Sequence, residues 1–496
     1  MEKLTFDVCV IGSGPAGFAA AMRSYDFDKH VCIIEGGHVG GAGIVNGALS
    51  SKTMWELSKD FSVASKTDRG YQAVGLKPNY HEMIRAVKQA AGEKQYQILS
   101  QIETFSRKEG CNKSLTLLKG WAKFQGKKRL IVTKHDGTEV EVIANDFVVA
   151  TGSTPREHPT IKTDGKRIIN SDHIDRLEAF PKRIMIVGAG IVGCEFATIF
   201  ANFGQTEVHL LDSQNKVIPF EDDDVSDYVN EKLEDIGVIM HHEASLREVR
   251  ELNDHIDVIL DHKDGHVDVV PVDVVLISIG RVPQTKHIGL EGVGANITER
   301  GLLQVDDACL VTDHIYAAGD ISGNMALVNI AEMEGRFAAK AINHCIKYPL
   351  NYKNISTIMF FSPEVSAIGF NEKECQKKNI AYKVIHYSHA LISRAIAMRA
   401  TSGFFKIIVS DEEDPIVLGM RAAGPQSAAA VIFIAPMINS GNRLSEIMKT
   451  VHPHPSISEG IQECLRAFNN KNIFKWKAFP DKIKFWTWKP DAELEA

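Results

Sequence analysis

The chain has 496 residues, 44% apolar and 24% charged, with a formal net charge of −7; this fits a multi-domain globular enzyme and disfavours nucleic acid or an anionic membrane as the main partner. No basic leader with an apolar core opens the sequence and no apolar run reaches spanning length, so a cytoplasmic location is expected. Eight cysteines are scattered without CxxC or CxxxxC spacing, which argues against a local redox or metal motif, and no metal site is expected.

Residues 6–11, FDVCVI, predict a short apolar strand; Gly12, Ser13, Gly14, Pro15, Ala16 and Gly17 follow, and then the helix-forming FAAAMRS. In a G-x-G-x-x-G turn the glycines let the backbone bend tightly and approach a pyrophosphate, while the helix N-terminus aims free N–H groups at the anion. The next strand, VCIIE, ends in Glu35, placed to accept hydrogen bonds from ribose hydroxyls. Just beyond lies GGAGIVNGALSSK, residues 40–52, without a single cysteine. Residues 183–212 repeat the whole pattern: a strand, Gly188, Gly190, Ile191, Val192 and Gly193 opening a helix, then a strand ending in Asp212. An acid there binds a free 2′-hydroxyl and repels a 2′-phosphate, so NADH is favoured over NADPH. Two dinucleotide folds imply two dinucleotides, FAD and NAD.

Further landmarks follow in order: FVVATGSTPR (147–156), LISIGRVPQT (276–285), IYAAGDISG (315–323), SPEVSAIGFNE (362–372) and HPHPSISE (452–459). With the two fingerprints, they give a sequence that resembles the flavoprotein disulfide reductase family, most closely its dihydrolipoamide dehydrogenases, over nearly residues 5–467. The resemblance implies an α/β fold with two Rossmann-like domains, for FAD and NAD, and a C-terminal α+β dimerisation domain. The expected boundaries are 1–150 and 280–350 for the FAD domain, 151–279 for the NAD domain, 351–470 for the interface domain and 471–496 for a tail. It also implies cofactor contacts from Ala150, Thr151, Gly152, Gly280, Arg281 and Gly319, with Asp320 accepting from the ribityl chain. Gln284 stands where the family has asparagine.

In the family the segment after Glu35 reads GGxCxNxGCxPSK. Matched position by position, Gly43 and Ala48 occupy the places of the two redox cysteines, and Ser50 that of the proline. Neither residue forms a thiolate or a mixed disulfide. Lys52 and Glu195 remain, and the resemblance pairs them beside the flavin, where a lysine stabilises charge on the reduced ring. His454 and Glu459 match the family's proton-shuttling pair, supplied across a homodimer interface; here they serve either as a relay for another acceptor or as structural hydrogen-bonding groups.

The tail places Trp476, Trp486 and Trp488 among lysines. This suits either an arm packed on its own protein or dimer mate, or a docking strip for a partner or a membrane surface. The IKFWTW stretch alternates as a strand does. The leading expectation is an FAD enzyme that oxidises NADH and discharges to a non-disulfide acceptor: a quinone, a second nicotinamide, a metal complex or oxygen. A flavin-loaded pseudoenzyme acting as an assembly subunit is the alternative, and a dihydrolipoamide dehydrogenase using remote thiols comes third.

Overall fold

The structure is a computed structural model describing residues 1–106, 110–323, 325–352 and 355–490. The chain opens with β1 (Glu2–Ile11), α1 (Pro15–Asp26), β2 (His30–Glu35), α2 (Ala48–Ala64), α3 (Tyr80–Thr104), β3 (Ser114–Lys119), β4 (Trp121–Gly126), β5 (Arg129–Thr133) and β6 (Glu139–Val149). Next come β7 (Ser153–Pro155), β8 (Ile168–Asn170), β9 (Arg183–Val187), α4 (Ile191–Phe203), β10 (Glu207–Leu211), α5 (Asp223–Asp235), β11 (Ile239–His241) and β12 (Ala244–Glu251). There follow β13 (Ile256–His262), β14 (Val267–Val272), β15 (Val274–Ile277), β16 (Arg281–Pro283), β17 (Leu310–Thr312), β18 (Ile315–Ala317) and α6 (Val328–Ile342). The last part holds β19 (Ser356–Met359), β20 (Val365–Gly369), α7 (Glu372–Lys377), β21 (Tyr382–Ser388), α8 (Ser393–Ala397) and β22 (Phe404–Ser410). It closes with β23 (Val417–Ala423), α9 (Ser427–Ser440), α10 (Leu444–Ile447), α11 (Glu459–Ala467) and β24 (Ile483–Trp488).

Two compact units result. The first comprises Met1–Val187, Glu248–Val258 and Val270–Leu350. Its main sheet runs β17-β18-β6-β1-β2-β3, with β4 and β5 added beside β6. The strands β1 and β2 are parallel, with Val8 opposite Val31 and Cys9 opposite Cys32. Alternation then sends Val8, Val10, Val31 and Ile33 into one core with Ala16, Ala20 and Ala338, and Cys9, Ile11, Cys32 and Ile34 into another with Phe124, Leu130 and Val132. Coverage on both faces explains the near-continuous apolar runs of these strands. Each such aliphatic side chain contributes roughly 1.5–3 kcal/mol through burial. Helices α1 and α6 pack closely because Gly335 has no side chain; a Cβ there would lie 2.1 Å from the Ala16 carbonyl oxygen. The same unit holds the parallel strands β8, β15 and β9.

The second unit comprises Gly188–Arg247, Ile259–Val269 and the chain from Asn351 onward. Its sheet runs β19-β20-β23-β22-β21-β24, with antiparallel pairing throughout. Phe405, Ile407 and Val409 of β22 share a core with Val431 and Ile434 of α9 and Ile461 and Leu465 of α11. The alternate positions of β22 face the other way, and Lys406 is only 1% exposed. Its ammonium meets Asp222 at 2.9 Å, Asp224 at 2.7 Å and Glu372 at 2.6 Å. Beside it Arg421 Nε donates to Glu221 at 2.8 Å. Removing either cation from this set would leave its carboxylates uncompensated, at a cost of about 3–5 kcal/mol. The sequence IKFWTW is β24, laid antiparallel on β21.

Candidate active site

The turn after β1 requires glycine twice. Gly12 has φ +105°, and a Cβ on it would lie 2.3 Å from Ala150 O. A Cβ on Gly17 would lie 2.0 Å from Gly12 O. Gly14 caps α1 with no side-chain hydrogen bond, and Pro15 occupies the first turn, where its missing N–H costs nothing. The N–H groups of Ala16 and Gly17 at the helix start are thus presented to an anion together with the positive end of the helix dipole. Space exists for one, since a Cβ on Gly14 would meet nothing nearer than Gly40 O at 4.0 Å.

Glu35 is held ready beside this turn. Its Oε2 accepts from Ser13 N at 2.8 Å and from Ser13 Oγ at 2.6 Å, and its Oε1 from Gly37 N at 2.6 Å. A carboxylate offers about four lone-pair positions, so capacity remains for ribose hydroxyls. The Ser13 hydroxyl also accepts from Gly40 N at 3.2 Å, which links the acid to the next turn. There Gly41–Gly43 form one turn of 3₁₀ helix, and Ala48 is the first residue of α2. Buried Ser50 donates to Ile44 O at 2.8 Å and also approaches Val45 O. Lys52 is half-buried, and its Nζ donates to Ser51 Oγ at 3.3 Å. At Gly43 an added Cβ would meet Pro15 Cγ at 2.5 Å.

Chain ends distant in sequence gather around Asp320. Its Oδ2 accepts from Ser153 Oγ at 2.5 Å, and Arg281 clamps Ser153 through Nε to Oγ at 2.8 Å and Nη2 to the carbonyl at 2.7 Å. Thr151 Oγ1 donates to Gln284 O at 2.7 Å, and Gln284 N to Gly152 O at 2.9 Å. Gly280 O accepts from Arg156 N at 2.9 Å. Gly319 N donates to the carboxylate of Glu334 at 2.7 Å, which is 1% exposed. Asp172 lies 3.9 Å from Arg281; burial pushes its carboxyl up, opposed by that guanidinium. Ser153, Asp172 and Glu334 escape sequence reasoning because no local pattern marks a partner more than a hundred residues away or a buried acid in a helix.

The second fingerprint repeats the first. Gly188 has φ +104°, and Gly190 caps α4 without a side-chain bond. No atom lies within 4 Å of a Cβ built on Gly190, so Ile191, Val192 and Gly193 open a helix whose mouth has room for a phosphate. Asp212 accepts from Ala189 N at 2.7 Å and from Gln214 N at 2.8 Å. Within α4, Glu195 is 4% exposed and accepts from Phe360 N at 3.2 Å. Lys52 and Glu195 belong to different units. The uncapped helix starts, the open glycines and the oriented acids fit a dinucleotide at each turn.

His454 Nδ1 lies 2.5 Å from Glu459 Oε1, and its side chain is 72% exposed. Ser456 N also donates to Glu459, at 3.3 Å.

A family model described as pyridine nucleotide-disulphide oxidoreductase matches residues 6–335, and its dimerisation-domain model matches 355–465. The chain belongs to the pyridine nucleotide-disulphide oxidoreductase family. Dihydrolipoyl dehydrogenase from Zymomonas mobilis is 28% identical over 464 residues, covering 93% of this chain and 97% of the relative. The Staphylococcus aureus dihydrolipoyl dehydrogenase is 29% identical over 459 residues, covering 92% and 95%. LpdA from Mycobacterium tuberculosis has a similar structure, with a TM-score of 0.84 at 25% identity, covering 94% of this chain and 100% of that one. A Cu(II) complex of the HOCl-induced flavoprotein disulfide reductase RclA from Escherichia coli gives a TM-score of 0.83 at 23% identity, covering 94% and 99%.

The protein is therefore an oxidoreductase of a family that uses FAD and NAD(P), with the α/β fold the motifs imply and a dimerisation domain. In this oxidoreductase all eight cysteines are free, and only Cys111 and Cys345 are exposed. Cys9 and Cys32 are neighbours across β1 and β2, but both are fully buried, and burial drives the Cys32 thiol well up. Burial also pushes Cys309 and Cys375 up to about 12. Such thiols stay protonated and unreactive. Among the described residues no helix is long and apolar enough to cross a membrane.

Two of the three tail tryptophans pack on their own unit and stay half-buried. Trp486 Nε1 donates to Glu372 at 2.7 Å, and Trp488 stacks on Tyr382 with ring centroids 5.5 Å apart. Trp476 remains 53% exposed. The last six residues of the tail lie outside the described ones.

Proposed function

We propose that this oxidoreductase takes hydride from NADH and delivers the electrons to an acceptor other than a disulfide. The observation that carries this reading is the segment 40–52, which holds Gly43 and Ala48 where the family pattern has its cysteine pair. The six buried thiols support it, since none is available as a substitute.

FAD held at the first fingerprint supplies the two-electron redox ring. Gly12, Gly14 and Gly17 admit its pyrophosphate, Glu35 orients the ribose, and Ser153 and Arg281 fix Asp320 for the ribityl hydroxyls. Asp212 selects a nucleotide without a 2′-phosphate by charge repulsion. Lys52 stabilises negative charge beside the ring. Positions 43 and 48 carry no sulfur through which electrons could be relayed, which leaves discharge to an acceptor such as a quinone, a second nicotinamide, a metal complex or oxygen. His454, oriented by Glu459 and exposed, is positioned to move a proton for an acceptor bound at a homodimer interface.

Anaerobic addition of NADH to the FAD-loaded protein should bleach the flavin absorbance, and a panel of quinones, nicotinamides, Cu(II) and oxygen should contain a species that restores it while lipoamide does not. Unchanged absorbance after NADH, or reoxidation by lipoamide alone, would overturn the proposal.

A further inference from the structure

A tight hairpin in the second unit carries the sequence His262-Lys263-Asp264-Gly265-His266-Val267-Asp268. Its closure is set by His262 N donating to His266 O at 3.0 Å and Gly265 N to His262 O at 2.9 Å. Gly265 takes a left-handed φ of +94°. The two histidines are thus cross-strand neighbours, and the two-residue period of β14 puts Asp268 on the face that His266 occupies. The imidazole rings stack with centroids 3.8 Å apart and planes 13° from parallel. Asp268 Oδ2 lies 3.0 Å from His262 Nε2 and 3.6 Å from His266 Nε2.

Hydrogen bonding assigns these nitrogens a role. His266 Nδ1 lies 2.5 Å from Asp264 Oδ1, so its N–H is directed at that carboxylate and the Nε2 lone pair is left facing Asp268. This is the carboxylate–histidine relay that orients and strengthens metal-binding imidazoles. His262 Nε2 is shielded from solvent yet makes no hydrogen bond of good geometry, despite its closeness to Asp268. Two imidazole nitrogens and a carboxylate oxygen therefore lie close together, and because the rings stack face to face, rotation of the half-exposed His266 ring is what would turn both nitrogens toward one ion. Two other groupings in this unit are already satisfied. His209 and His241 hydrogen-bond to each other at 3.0 Å, and the acids Asp222, Asp224 and Glu372 surround the Lys406 ammonium.

We propose that His262, His266 and Asp268 form a binding site for a divalent transition-metal ion of the zinc class. The three ligand atoms lie within 4.8 Å of one another, and a tetrahedral site with bonds of about 2.0–2.1 Å has edges of about 3.4 Å. Two imidazoles with one carboxylate select Zn²⁺, Ni²⁺ or Cu²⁺ over Mg²⁺ and Ca²⁺. The His266 side chain is 52% exposed, which leaves the fourth coordination position open to water or an exogenous ligand. The site rests on the hairpin alone and stands whether or not the proposed electron acceptor is right.

The test is calorimetric titration of the tag-free, FAD-loaded protein with Zn²⁺, paired with difference absorption spectra on adding Co²⁺. One Zn²⁺ per chain is expected, with d–d bands of a low-symmetry Co²⁺ centre and no thiolate charge-transfer band. His262→Ala and His266→Ala should each abolish this equivalent. Asp264→Asn should weaken it by about 10–100-fold, because only the orienting bond is lost. The double variant Cys111→Ser/Cys345→Ser, which removes the exposed thiols, should leave it unchanged. The proposal fails if no Zn²⁺ binds, if binding survives both histidine variants, or if Mg²⁺ competes on equal terms. Circular dichroism confirms that each variant is folded.

Discussion

The two glycine turns of this protein are near copies in backbone and differ in what surrounds them. Gly12 and Gly188 have φ of +105° and +104°, and the cap residues Gly14 and Gly190 have ψ of −177° and −174°. Each turn hands the N–H of its second residue to the acid of the following strand, at 2.8 Å for Ser13 and 2.7 Å for Ala189. The difference lies in the side chains. Glu35 accepts a further bond from the Ser13 hydroxyl, which is itself tied to Gly40, whereas Ala189 offers no hydroxyl to Asp212. The phosphate cradle is thus a property of backbone sterics and the helix dipole, repeated because only one geometry provides it. How firmly a dinucleotide is held is decided by side chains. The first turn carries one side-chain brace, from Ser13 to Glu35 and Gly40, that the second lacks.

Substitution at the glycines tests this contrast most severely. Gly17→Ala forces a Cβ to 2.0 Å from a backbone oxygen and should cost about 3 kcal/mol or more, since backbone cannot yield as a side chain can. The expected result is purified protein with little FAD and a lowered melting temperature. Gly190→Ala enters open space, so stability should change by less than about 1 kcal/mol while NADH binding weakens. Equal losses for the two variants would break the argument that backbone crowding, and not the turn as such, sets the cost. A smaller effect separates the two sulfur-free positions beside the first turn. Gly43→Cys must displace Pro15, at a cost of about 1–3 kcal/mol; Ala48→Cys starts from an existing Cβ and should stay within about 0.5 kcal/mol. Thermal or denaturant unfolding of the single variants measures both. The smallest effect is expected at Asp212, where Asp212→Asn removes the charge that opposes a 2′-phosphate. The preference for NADH over NADPH in flavin reduction should fall by about tenfold, or about 1.4 kcal/mol, and an unaltered ratio would remove Asp212 from the selectivity argument.

Much of the nucleotide-binding architecture was legible in the sequence because each fingerprint is complete within about 30 residues, with its strand, turn, helix and acid in a fixed order. The hexapeptide IKFWTW was likewise readable as a strand from its alternation. Its partner was not: pairing with β21 joins segments about a hundred residues apart, and the docking of Trp486 on Glu372 depends on that register. The Ser153–Asp320 bond spans 167 residues, and the acid supporting Gly319 N sits inside α6 with no local mark. The histidine hairpin had a signal that a cysteine-led search for metal motifs passes over: an Asp-Gly turn flanked by histidines, with an aspartate two residues further on the same strand face.

What the sequence determined by itself is the pair of dinucleotide turns and the absence of cysteine from residues 40–52, because both depend on residue type at short spacing. Tertiary structure alone decided which distant polar groups brace Asp320 and Gly319, that six of the eight thiols are sealed in the interior, and that the aromatic tail completes a sheet. These outcomes follow from register and burial, which are set when strands remote in sequence pair and their apolar faces close over one another.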